Sequence, residues 1–254
     1  MSEPLVEERR GPLALLRLDR PPENRLSREL LDAIASGLHR FEADPSTSVI
    51  AITGTGEWFC AGAQMDAQGP AATEQLLAFG EAWLRVRDTI ADLGKPVVAS
   101  VNGTAFAGGL ALTALADLAF AVPRATFGLP ELQYGIFPLL VLAAVVDALP
   151  KKIAFDLIYR GRVLSAEEAR KYDLVNEVAD QTGIDEQLDA LAARLSASNA
   201  VALRIGRRAY FAMDGLDGHR RMAHAGSLAA NLLRTEFAAE RYRERIKSAR
   251  KSSD

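Results

Sequence analysis

The chain has 254 residues, 49% hydrophobic, 25% charged and 7% aromatic, enough for one large domain with a full core and unlike a fibrous, disordered or disulfide-stapled protein. A formal net charge of −3 provides no general field for a polyanion, so nucleic-acid binding is not expected, although a local basic patch still suits one phosphate. The single cysteine, Cys60, has no internal partner, and the start of the chain carries Glu3, Glu7 and Glu8 without an apolar stretch. The two most apolar runs, 105–122 and 139–149, are broken by Gly108-Gly109, Asp117 and Asp147. A cytoplasmic setting without export or membrane insertion is the expectation.

Residues 5–9 and 13–19 flank the turn cluster Arg10-Gly11-Pro12, which predicts an antiparallel hairpin. Ser27 then caps a helix whose apolar face is Leu30, Leu31, Ile34, Leu38 and Phe41, and Asp44-Pro45 ends it. Residues 49–53 read as a buried strand before Gly54-Thr55-Gly56, and 96–101 as another before Asn102-Gly103. Between them, 69–80 is the least specified segment, while Leu84, Val86, Ile90 and Leu93 mark a helix that stops at Gly94-Lys95-Pro96. A helix over about 109–116, a strand at 118–122 and one long helical tract over 139–160 follow. Ser165 and Glu168 form a capping box for a short helix, and 174–178 reads as a strand. From Asp185 onward the pattern is helical and rich in arginine, with no Pro-, Gly- or Ser-rich linker before it. The expected organisation is a core over 1–184 and a helical assembly region over 185–254 that is an appendage of the same domain.

Three stretches carry chemistry. Trp58-Phe59-Cys60-Ala61-Gly62-Ala63 follows one strand, and Asn102-Gly103-Thr104-Ala105-Phe106-Ala107-Gly108-Gly109 follows another and enters a helix. Two backbone N–H groups converging from such loops, one at a helix N-terminus, would hold a developing oxyanion. Phe127-Gly128-Leu129-Pro130-Glu131 places a carboxylate in an apolar neighbourhood, where desolvation raises its pKa as a proton shuttle requires. Cys60 reads as a small buried apolar residue. His39, His219 and His224 lack metal-ligand spacing, so no metal site is expected, and no dinucleotide fingerprint, P-loop or serine elbow occurs.

These stretches, with Asp117, Gly135-Ile136-Phe137-Pro138, Arg20-Pro21-Pro22, Asn24, Leu26-Ser27 and the segment from Gly161 to Leu174-Val175, resemble the enoyl-CoA hydratase/isomerase (crotonase) superfamily in order and spacing over the first three quarters of the chain. The resemblance implies an α/β fold, a crotonase-like spiral of ββα turns with a C-terminal helical trimerisation region, assembled as a homotrimer or homohexamer. It implies acyl-CoA enolate chemistry with a coenzyme A thioester as substrate and no tightly bound cofactor. Ala63 and Gly108 would supply the oxyanion-hole N–H groups and Glu131 the acid/base. Arg25, Ala61, Gln64, Met65 and Asp66 would contact substrate or coenzyme A, and Phe79, Trp83 and Phe106 are candidates for the acyl pocket.

The sequence also departs from that pattern. Ala111 stands where hydratases of the family carry a second glutamate, and Leu139 where dienoyl isomerases carry an acid. A single carboxylate suits moving a proton between two carbons of one substrate, so isomerase-type transfer is the leading expectation. A weak hydratase and a non-catalytic acyl-CoA-binding homologue are the alternatives. Gln64 replaces the usual Asp, and Asp66 stands where Lys is common, which leaves Arg25 or the cluster Arg243, Arg245, Lys247, Arg250 and Lys251 to meet the phosphates.

Overall fold

A computed structural model describes residues 4–64 and 71–235. Gly11, at φ +54°, turns the chain between β1 (Leu5–Arg10) and β2 (Leu13–Leu18), which pair antiparallel with Leu5 opposite Leu18. Helix α1 (Arg28–Ala43), capped by the Ser27 side chain, carries the chain to β3 (Val49–Gly54), parallel to β2. Strands β5 (Val97–Val101), β7 (Leu118–Ala121) and β10 (Glu177–Val178) extend this sheet in the order β1-β2-β3-β5-β7-β10. Every residue of β3 and β5 is buried, as expected of parallel strands covered on both faces and read as continuous apolar runs.

A second sheet has the order β4 (Trp58–Cys60), β6 (Thr104–Phe106), β8 (Thr126–Gly128) and β9 (Val163–Ser165). After the first hairpin and α1, three successive coils each take one strand from each sheet and then a helix. β3 and β4 lead to α2 (Ala71–Asp92), and β5 and β6 lead to α3 (Gly108–Leu115). β7 and β8 lead through a 3-10 turn (Glu131–Tyr134) to α4 (Leu139–Val145). The fold is thus a spiral of ββα turns. Its second sheet was not legible in sequence because three-residue strands carry too little alternation to be read.

Local differences from expectation have clear causes. The tract over 139–160 is two helices, α4 and α5 (Lys151–Arg160), because Pro150 occupies the N-cap of the second. Only Glu177–Val178 of the predicted 174–178 strand pairs with β7. Ala71 opens a 22-residue helix inside the segment left unspecified, and Ala82, Trp83, Val86 and Ile90 bury its inner face. The capping box at Ser165 and Glu168 is present at the start of α6 (Ala166–Lys171).

Helix α7 (Gln181–Ser196) lies on β2 and β3 through Ile184, Leu188 and Ala192. Helices α8 (Ala200–Ala212) and α9 (Gly218–Leu233) pack on each other and bury no residue fully. Arginines fasten α8 to the end of α2: Arg207 Nη1 donates to Leu93 O at 2.7 Å and its Nε to Asp117 at 2.8 Å, while Arg208 Nε donates to Asp92 O at 2.9 Å. They satisfy carbonyls that the helix end leaves without intrahelical partners. Among the described residues no helix is long and apolar enough to cross a membrane.

Candidate active site

Two asparagines hold the loop that feeds the site. Asn24, fully buried at φ +50°, donates from Nδ2 to Thr55 O (2.9 Å) and Trp58 O (2.7 Å) and accepts from Arg20 N at 3.0 Å. Asn102 accepts from Gly54 N and donates to Gly56 O, both at 2.9 Å. Fixed in this way, β4 runs out to a one-residue parallel bridge between Leu26 and Ala63. Leu26 N donates to Gly62 O at 2.8 Å and Gln64 N donates to Leu26 O at 2.7 Å. Successive peptides in such a bridge face opposite sides, so the N–H of Ala63 is aimed away from Leu26.

The second loop comes from β6. Ala107, at φ +50°, donates to Gly128 O at 3.0 Å, and α3 begins at the next residue. The two loops touch through glycines. A Cβ added to Gly62 would lie 2.5 Å from Ala107 Cβ and 3.3 Å from Gly108 N, and one added to Gly108 would lie 2.7 Å from Leu26 Cδ1 and 3.4 Å from Gly62 Cα. A Cβ on Gly109 would overlap the Cys60 carbonyl. The structure therefore brings Ala63 and Gly108 together, and among the described residues neither N–H has a hydrogen-bond partner. Two open donors, one at the first residue of a helix, form a site for an oxygen that gains negative charge.

Glu131 approaches from the third coil. The bond from Ala107 to Gly128 O ties the end of β8 to the second loop, and Leu129-Pro130 leads directly into the 3-10 turn that Glu131 opens. Its side chain is half-buried, its Oε2 is buried without a hydrogen-bond partner, and among the described residues it forms no ion pair. Desolvation pushes its pKa above the ordinary carboxylate range, with a backbone hydrogen bond opposing in part. Ala111, one turn into α3, has a fully buried methyl group. Leu139 is 69% exposed at the start of α4.

The remaining candidates divide. Arg25 stands beside the Ala63 loop, paired with Glu23 at 2.6 Å and 3.5 Å from Ala63 O. Ala61 is buried and anchored to Glu23 O, and Gln64 is held by Leu26. Met65, Asp66 and the cluster from Arg243 to Lys251 lie outside the described residues. Trp83 belongs to the core, and Phe106 stacks edge-on to Trp58 at 5.9 Å. Burial pushes the Cys60 thiol up to about 12. Among the described residues no group of three or more His, Cys, Asp or Glu side chains is arranged to hold a metal. The positive φ of Ala107 and the packing of Leu26 against Gly108 gave no sequence signal, since alanine and leucine advertise neither.

The profile of the enoyl-CoA hydratase/isomerase family matches residues 8–242. The chain belongs to this family. A carnitinyl-CoA dehydratase from Salmonella typhi is 36% identical over 230 residues, covering 87% of this chain and 86% of the relative. Among solved structures, an enoyl-CoA hydratase from Mycobacterium smegmatis superposes with a TM-score of 0.89 at 26% identity, covering 97% of each chain. Human enoyl Coenzyme A hydratase domain-containing protein 3 reaches a TM-score of 0.91 at 21% identity, covering 96% of this chain and 98% of its own, a likeness of fold alone. The chain is accordingly a crotonase-fold acyl-CoA enzyme.

Proposed function

We propose that the protein moves a proton within an enoyl-CoA thioester, shifting the double bond from the 3,4 to the 2,3 position. The thioester oxygen accepts from the N–H groups of Ala63 and Gly108, which stabilise the dienolate formed when Glu131 takes a proton from the α carbon. Glu131 returns that proton to the γ carbon, so the carboxylate ends as it began and no water is consumed. The observation that carries this reading is Glu131 itself: a half-buried carboxylate with an unpartnered oxygen and a raised pKa, in a chain that has a buried methyl rather than a second carboxylate at Ala111. Coenzyme A would run along residues 61–66 and past Arg25 as the substrate's own arm, with no separate bound cofactor and the cytoplasm as its setting.

A second reading, addition or removal of water by the same glutamate, is favoured by the 36% identity to carnitinyl-CoA dehydratases. Mass analysis of products from a panel of 2-enoyl-, 3-enoyl- and 3-hydroxyacyl-CoA thioesters separates the two. Isomerisation leaves the mass unchanged, and hydration adds one water. Glu131→Gln is expected to lower kcat by about 10²–10⁴ with little change in acyl-CoA affinity. Tight binding with no turnover on any thioester would favour a non-catalytic acyl-CoA-binding role. Exposed Tyr210, Met222 and Leu233 on α8 and α9 support a homotrimer or homohexamer, and light scattering that finds a monomer would exclude it.

A further inference from the structure

Within residues 61–64 each amide but one has a partner among the described residues. Ala61 N–H donates to Glu23 O at 2.9 Å and Gln64 N–H to Leu26 O at 2.7 Å, both carbonyls from the segment that leads from β2 to α1. Gly62 N–H meets no carbonyl and donates instead to Cys60 Sγ at 3.4 Å, the thiol serving as a weak acceptor. Ala63 N–H alone is left open. Gly62 is therefore held at both ends, its N–H by Cys60 and its carbonyl by Leu26 N–H at 2.8 Å, and between those two peptides it takes φ +96°. The peptide whose oxygen Leu26 holds is the one that carries the Ala63 N–H, so the torsions at Gly62 set where that donor points. Glycine is the most permissive residue of the backbone, and the bond to sulfur removes that freedom here.

Cys60 also reaches the second loop. A Cβ added to Gly109 would overlap the Cys60 carbonyl and lie 3.0 Å from the Cys60 Cβ, one residue beyond the Gly108 N–H. The Cys60 side chain is fully buried, and its thiol, pushed up to about 12 by desolvation, stays protonated at neutral pH. A thiol in that state is a poor nucleophile and keeps its neutral sulfur available as an acceptor. We infer that Cys60 is a positioning residue: its Sγ, by holding the Gly62 N–H, fixes the direction of the Ala63 N–H, and its contact with Gly109 fixes the spacing of that donor from Gly108. This rests on the proposed role of Ala63 and Gly108 as oxyanion donors and adds what aims them.

Alanine and serine at position 60 separate this role from packing, since they leave nearly the same gap and differ by one acceptor oxygen. Burying a hydroxyl carries a desolvation cost, so if Cys60 only filled space, Cys60→Ser would be no better than Cys60→Ala. The measurement is spectroscopic and needs no turnover. Butyryl-CoA carrying a heavy carbon isotope at the thioester carbonyl is bound to the whole protein and to each variant, and infrared difference spectra give the carbonyl stretch, which falls as its oxygen accepts hydrogen bonds. In the unaltered protein the stretch should fall below its value in buffer. Cys60→Ala should lose about half of that shift and, on whichever thioester the unaltered protein turns over, lower kcat by about tenfold with KM changed by less than about threefold. Cys60→Ser should regain most of both. Should Cys60→Ala fail to fold, Cys60→Val, which also lacks the acceptor, is set against serine in its place. A full shift in the variant without an acceptor, or losses equal to those of serine, would overturn the inference. An unaltered protein that does not bind butyryl-CoA, or binds it without lowering the stretch, would remove the oxyanion reading itself and the inference with it.

Discussion

On one side of the site, Ala63 and Gly108 present backbone groups from loops wedged together at Gly62, Gly108 and Gly109 and pinned by the buried Asn24 and Asn102. On the other side, Glu131 stands on a single 3-10 turn whose neighbours Leu132, Tyr134 and Ile136 are exposed. The difference suits what each side would do in the proposed reaction. Donors that stabilise a developing charge are effective only when they are fixed before the charge appears. A carboxylate that collects a proton at one carbon and releases it at another needs a raised pKa and some freedom to swing, which a lightly packed turn provides.

The largest expected effect tests the fixed side. Asn24→Ala removes three hydrogen bonds, leaves two carbonyls without their side-chain donor and places alanine at φ +50°. At about 1 kcal/mol per bond plus backbone strain, the loss is about 3–4 kcal/mol, measured from urea unfolding. Next comes Gly109→Ala, whose methyl meets the Cys60 carbonyl. It should cost about 2 kcal/mol and lower kcat at least tenfold by pushing the two loops apart. A Gly109→Ala protein with full stability would show that the loops yield, and the contrast between the two sides would collapse.

These two positions also show what sequence discloses. Glycine doublets at strand ends, the Ser27 cap and the Ser165–Glu168 box are legible because each uses a residue type that local backbone geometry requires. Asn24 is different. Its role depends on Thr55 O and Trp58 O, which come from a loop more than thirty residues away in the chain, and no local pattern announces such a partner. Likewise, the apolar character around Glu131 could be read from Leu129 and Pro130, but the buried, unpartnered Oε2 depends on the tertiary fold. Sequence discloses periodicity and turn chemistry, and it is silent on which distant atoms end up facing one another.

A smaller effect probes the open side. Gly135, at φ +74°, ends the turn that carries Glu131, and a Cβ there would meet nothing within 4 Å. Gly135→Ala therefore carries only the conformational cost of a left-handed alanine, about 1 kcal/mol. Its urea midpoint should shift by about half as much as that of Gly109→Ala. An equal or larger shift would mean that the Glu131 turn is as tightly determined as the loops that carry Ala63 and Gly108.

The smallest effect concerns Glu131 and pH. Burial raises its pKa in the folded protein above the value it has in the unfolded chain. Below about pH 4 both states carry the proton and the group is neutral toward stability. As pH rises, the unfolded chain releases the proton first, so the folded state loses stability until its own higher pKa is passed, and that loss persists at neutral pH. Glu131→Gln has no proton to release. The variant should consequently melt slightly higher than the unaltered protein at pH 7, by no more than about 2 °C because solvent still reaches the carboxylate, and the gap should close by pH 4. Melting curves at both pH values check the sign. A gap that widens on acidification would mean that Glu131 is held as a stabilised anion, and a stabilised anion on the open side would be a poor base for the proton transfer proposed.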